Sequence, residues 1–166
     1  MERDHSARGF TLIEVMVAMG LLAVGIAGVM GLLTAGTRVN ADARRMTRAV
    51  GIAQDLMNQI QLWPYADPRL VAGAKAGVDI TDDEAAYERE ASPVADHSEA
   101  DLATGYQGIP TAELEGVFER YWNVRYDDAN GNGIPDGVRV AVIVRWPHAG
   151  AWRRVVLVGF KPSPVN

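Results

Sequence analysis

Two short stretches of this chain combine residue types and spacings that could do chemistry. The first is Glu14. From Val15 to Thr37 the next 23 residues contain no ionisable group, so a lone carboxylate opens a long apolar run behind the short polar segment Met1 to Gly9. An ionised carboxylate costs about 3 kcal/mol near the centre of a membrane helix and less towards the interface. Such an acid is a functional candidate that needs a partner. The second stretch is Asp128-Ala129-Asn130-Gly131-Asn132-Gly133-Ile134-Pro135-Asp136, with oxygen ligands at alternate positions and glycine sixth. This is how an EF-hand-type loop opens, and Asp128, Asn130, Asn132, the Ile134 carbonyl and Asp136 could supply oxygens to calcium. Position twelve is Arg139 rather than a bidentate glutamate, so a cation would need a further ligand from Asp127 or from an acid of the middle segment. The same residues also read as a polar hairpin loop whose two Asn-Gly pairs favour positive φ.

The element that must position Glu14 is a helix. At ~1.5 Å per residue, Val15 to Thr37 is long enough to cross a hydrocarbon core ~30 Å thick. A cleaved secretory signal would have its cut after the apolar region, whereas here the leader-like segment precedes it, so the apolar stretch is expected to stay in the mature chain. Beyond it, Ala49, Ile52, Ala53, Leu56, Met57 and Ile60 recur at spacings of three and four, with Arg44, Arg45, Arg48, Gln54, Asp55 and Asn58 between them. That is one apolar helical face, and it needs a sheet to cover it. The pattern ends at Trp63-Pro64, because proline disfavours helix in the residue before it. A helix from about Phe10 to Leu62 would be ~80 Å long. Glycines 20, 25, 28, 31 and 36 interrupt it. Gly28 and Gly31 read as close helix packing, while Gly20 and Gly25 leave packing and kinking both open.

The string Gly9-Phe10-Thr11-Leu12-Ile13-Glu14, followed by this helix, resembles the type IV prepilin family, which includes the type II secretion pseudopilins. The resemblance implies cleavage between Gly9 and Phe10 by a prepilin peptidase on the cytoplasmic side, N-methylation of Phe10, and pairing of Glu14 with the Phe10 amine of a neighbouring subunit. It also implies an inner-membrane, single-pass protein with its C-terminal domain in the periplasm, surrounded by lipid before assembly. Charge alone argues the other way: Arg3 and Arg8 precede the span, while Arg38, Arg44, Arg45 and Arg48 follow it, which by the positive-inside rule would leave the domain in the cytoplasm. The resemblance overrides that count. Leu22-Ala23-Val24-Gly25-Ile26-Ala27-Gly28, Ala53-Gln54-Asp55-Leu56 and Trp63-Pro64 further resemble minor pilins. The partners so implied are other minor pilins, the major pilin, a tip adhesin and the inner-membrane assembly platform. A minor pseudopilin shares the signal, and a membrane-tethered periplasmic binding domain would share the anchor without a reason for cleavage after Gly9.

The expected organisation is a leader (1–9), a transmembrane half of the helix (10–37), an amphipathic half (38–63), an acidic connecting region (64–116) and a sheet (117–166) with a turn at 127–137. Residues 67–116 carry 12 acids against 3 bases, and from Gly137 onward there are 5 bases and no acids. The middle reads as solvated surface, with a short helix expected over Asp82 to Ala91. Val117 to Tyr126, Val138 to Trp146 and Arg153 to Phe160 read as strands, with Val138, Val140, Val142, Val144 and Trp146 on one face. The fold class is therefore α+β and pilin-like: a long N-terminal helix packed on a small antiparallel sheet of three to four strands. Trp122, Trp146 and Trp152 read as core or sheet-face residues.

The inventory excludes several chemistries. There is no cysteine, hence no disulfide, thiolate metal site or cysteine nucleophile, and there are three histidines, His5, His97 and His148. Neither a phosphate-cradling loop nor a dinucleotide fingerprint occurs. No enzyme activity is expected, and no cofactor beyond the calcium considered above. Arg139, Arg145, Arg153, Arg154 and Lys161 could form a basic face, but such residues more often decorate the exposed side of a sheet, so nucleic acid is not an expected partner.

Overall fold

A computed structural model describes residues 10–73, 87, 93–102, 106–114, 116–129 and 131–164. The chain divides into two compact units, Met1–Arg44 and Arg45–Asn166. Helix α1 spans Leu12–Leu62, starting two residues later than expected because Thr11 serves as its N-cap. In the first unit every residue from Phe10 to Ala41 is exposed. The helix runs without interruption through glycines 20, 25, 28, 31 and 36, and among the described residues a Cβ at any of them would meet nothing within 4 Å beyond its own stretch of helix.

In the second unit the buried residues of α1 are Ala49, Ile52, Ala53, Leu56, Met57 and Ile60, the stripe read from the sequence. They pack with Val138, Val140, Val142, Val144 and Trp146 in one cluster, as the alternation predicts. The sheet has the order β1-β2-β3-β4 and is antiparallel throughout, with β1 at His97–Ser98, β2 at Glu119–Asp127, β3 at Gly137–His148 and β4 at Ala151–Pro162.

The long hairpin runs further than expected. Strand β3 continues through Pro147, which pairs with Trp152, and the turn shrinks to Ala149 and Gly150. Proline is tolerated there because β2 begins at Glu119, opposite Arg145, so among the described residues no third strand needs the missing N–H. Ala149 (φ 49°) and Gly150 (φ 82°) both lie in the left-handed region, as a two-residue hairpin turn of the primed kind requires.

The described residues of the connecting region anchor to the core through short turns. Short 3-10 turns at Pro68–Leu70, Glu99–Leu102 and Thr111–Leu114 each bury one leucine, Leu70, Leu102 and Leu114, in the helix-side core. Single apolar anchors of this kind have no period to read. The short helix expected over 82–91 lies outside the described residues apart from Tyr87. That tyrosine is buried on the opposite face of the sheet with Ala141 and Ile143. Strand β3 is thus covered on both faces.

Candidate functional site

The N-terminal site is built by a reciprocal cap. Thr11 donates to Glu14 Oε2 from both its backbone N–H and its hydroxyl, each at 3.2 Å. The Glu14 N–H in turn donates to Thr11 Oγ1 at 3.3 Å and to the Thr11 carbonyl at 3.1 Å. This is a capping box, in which side chains satisfy N–H groups that the first helical turn leaves without intrahelical partners. The sequence carries the signature of this cap in Thr11-Leu12-Ile13-Glu14, a threonine followed three residues later by glutamate ahead of an apolar run. Held there, the carboxylate sits at the positive end of the helix dipole. Its other oxygen, Oε1, has no partner among the described residues, so the group keeps acceptor capacity for a cation at the helix start. Phe10, Val15, Ala18, Met19 and Leu22 make the helix surface around Glu14 an exposed apolar one. Gly9, and with it the Gly9–Phe10 bond, lies outside the described residues.

The second candidate loop closes on its own backbone. Asp128 accepts the N–H groups of Asn132 at 3.2 Å and Gly133 at 2.8 Å, Asp136 accepts that of Ala129 at 2.8 Å, and Asn132 accepts that of Ile134 at 2.7 Å. Gly131 and Gly133 have φ of 69° and 80°, as the hairpin-loop reading requires. Asp127, the supplementary ligand considered from sequence, forms an ion pair with Arg139 at 2.6 Å. Asn130 lies outside the described residues, and among the described residues no three of His, Cys, Asp and Glu come together in a metal-holding group.

The basic residues do not share one exposed face. By register, Arg139, Arg145 and Arg154 lie on the side of the sheet with Ala141 and Ile143, while Arg153 and Lys161 lie with Val138 and Trp146. Arg145 is fully buried and paired with Glu119 at 2.6 Å. Its guanidinium lies over the rings of Trp152 and Tyr121, 4.1 and 5.3 Å from their centroids. Burial, together with the Glu119 hydrogen bond, pushes the Tyr121 hydroxyl up to about 12.

Sequence reasoning also missed a polar cluster on the helix side. Arg120, fully buried, donates to Glu99 Oε1 at 2.5 Å, to the Tyr106 hydroxyl at 2.9 Å and to the Ile109 carbonyl at 2.8 Å. Asp55 of α1 accepts from the Tyr106 hydroxyl at 2.5 Å and the Ile109 N–H at 2.8 Å. Burial first, then the Asp55 hydrogen bond, raises the Tyr106 pKa. A Cβ at Gly108 would overlap the Asp55 carboxylate and the Tyr106 hydroxyl, so a larger residue there would displace this pair. The cluster ties the 106–111 segment to both α1 and β2.

Residues 4–30 match the family model of the prokaryotic N-terminal methylation motif. No curated protein and no solved structure matches the chain. The motif supports a type IV pilin or pseudopilin-like protein, and α1 is long and apolar enough to cross a membrane.

Proposed function

We propose that the chain is a minor pilin of the type IV pilus, most like PilV, with a structural rather than enzymatic role. In this reading a prepilin peptidase cuts between Gly9 and Phe10 and Phe10 is N-methylated. The apolar half of α1 then holds the subunit in the inner membrane with its domain in the periplasm. Extraction from lipid places it with other minor pilins in a tip complex that primes assembly of the major pilin, and through it motility and adhesion. The observation that carries the reading is the methylation motif over residues 4–30, with Glu14 five positions into the chain that cutting after Gly9 would create.

Glu14 supports the same reading chemically. A carboxylate at the start of an apolar helix attracts an amine far more strongly in a poorly screened medium than in water. The experiment is intact-mass and N-terminal analysis of the protein from its native host. The expected product lacks nine residues and begins with methylated phenylalanine; an intact leader would reject the proposal. Glu14→Gln should insert into the membrane normally but fail to co-purify with partner pilins. Loss of pili on deletion supports the pilus role, and loss of secretion with pili intact would assign the chain to a secretion system instead.

A further inference from the structure

The way the apolar run of α1 ends decides where a polar partner is first needed. Thr34 and Thr37 return their hydroxyls to the carbonyls of Met30 and Thr34, each at 2.9 Å. Neither hydroxyl needs water, so hydrocarbon can surround the helix as far as Thr37. Val15 to Thr37 rises ~33 Å at ~1.5 Å per residue, against a hydrocarbon core ~30 Å thick. Arg38 is therefore the first side chain after this run that must find an ionic or aqueous partner.

The next turns are basic and unpaired. Between Val15 and Gln54 the sequence has four bases, Arg38, Arg44, Arg45 and Arg48, and one acid, Asp42. Arg48 donates to the Glu113 carbonyl at 2.8 Å. Arg38, Arg44 and Arg45 are exposed and have no hydrogen bond or ion pair among the described residues. Apolar residues follow two of them: Val39 and Met46 are 68% and 57% exposed. Helical side chains lean toward the N-terminus, so the three arginines lean back along α1 toward the apolar run. Arg44 and Arg45 start ~9 and ~10 Å beyond Arg38, which is about one Debye length at 0.1 M salt.

A lipid headgroup layer supplies what this stretch lacks. Its phosphates accept from guanidinium groups, and the adjoining acyl chains cover apolar side chains. We infer that residues 38–46 of α1 bind the headgroups of anionic phospholipids, in the leaflet at the C-terminal end of the span, and thereby fix the depth at which the helix sits. An acidic protein segment would also attract the arginines, but it gives no reason for them to begin where the apolar run stops or for Val39 and Met46 to lie among them. The inference rests on the membrane-anchored reading of α1 and stands apart from leader processing and from the pilus role.

The test uses the full chain in mixed vesicles of phosphatidylcholine and phosphatidylglycerol, with a spin-labelled form of each lipid as probe. At low salt the phosphatidylglycerol probe should associate with the chain about fivefold more strongly than the phosphatidylcholine probe, the effect of one base near an anionic surface. The preference should shrink as added salt shortens the screening length. The triple variant Arg38→Gln, Arg44→Gln, Arg45→Gln should show no preference, with the urea midpoint of the domain unchanged. A chain that does not float with vesicles would overturn the membrane anchor and this proposal together. Flotation with equal association of the two probes, or an unchanged preference in the triple variant, overturns this proposal alone. So does displacement of the phosphatidylglycerol probe by a soluble glutamate-rich peptide, which would make an acidic protein segment the partner.

Discussion

The two ends of α1 draw on the same apolar alphabet and meet opposite surroundings. From Phe10 to Ala41 every residue is exposed, including Leu21, Leu22 and Leu32 at 70%, 63% and 75%. From Ala49 to Ile60 six residues on one face are buried, with Leu56 and Ile60 at 0%. The difference lies in patterning. A helix that is apolar all round needs lipid or other helices on every side, whereas a stripe needs one covering surface. The polar residues follow suit. Glu14 finds its described hydrogen bonds within its own helical turn, through one carboxylate oxygen, while Asp55 accepts from Tyr106 and Ile109, more than fifty residues away in sequence.

The sharpest test of that contrast removes equal material from each end. Leu56→Ala should destabilise the domain by about 2–5 kcal/mol, the usual cost of truncating a core leucine. Leu22→Ala should leave the urea midpoint of the domain, read by tryptophan fluorescence in detergent, where it was. Arg120→Ala should also destabilise the domain, by about 1–3 kcal/mol, because the half-buried Glu99 carboxylate, Tyr106 hydroxyl and Ile109 carbonyl lose their shared donor. If Leu22→Ala lowered the domain midpoint as far as Leu56→Ala, the division of α1 into independent environments would be wrong.

The contrast also explains what was legible. The stripe Ala49 to Ile60 and the alternation Val138 to Trp146 are periodic, so their faces could be read before any partner was known. Glu14 stood out because nothing ionisable follows it for 23 residues. Arg120 and Arg145 did not stand out. Their partners Glu99 and Glu119 lie 21 and 26 residues away, and a charged residue in a strand looks the same in sequence whether water or a carboxylate meets it. Strand β1 is two residues long, too short for any period. Leu70, Leu102 and Leu114 are buried singly from an acidic segment, where composition pointed to solvent.

A pH series probes the sheet domain alone. Tyr121 keeps its proton in the fold up to about 12, against an ordinary value of 10.0. Between those values the folded chain binds more protons than the unfolded one, so stability falls as pH rises. Tyr106 acts in the same direction. The contribution is fully present below pH 10, and the midpoint should drop through the window from 10 to about 12. Tyr121→Phe should shallow that drop, and an unchanged alkaline profile in the double variant with Tyr106→Phe would show that other groups control it. At the β3–β4 turn, Ala149→Asn relieves a left-handed alanine and should stabilise the domain by about 1 kcal/mol.

The smallest effect on the domain, and the one most specific to the apolar end, is expected at Thr11→Ala. Loss of an N-cap side chain costs about 1 kcal/mol. In the sheet domain a loss of that size would lower the global midpoint, because the buried stripe couples each position to the sheet. At Thr11 no described tertiary contact shares the loss, so it should appear as local fraying. Amide exchange at Glu14 and Val15, whose N–H groups bond to Thr11, should accelerate about fivefold with the urea midpoint unchanged. The freed Glu14 carboxylate then has only water or an incoming cation to pair with. If exchange at the helix start did not change, the capping box would not be what holds Glu14 in place, and its orientation would have to come from the surrounding lipid.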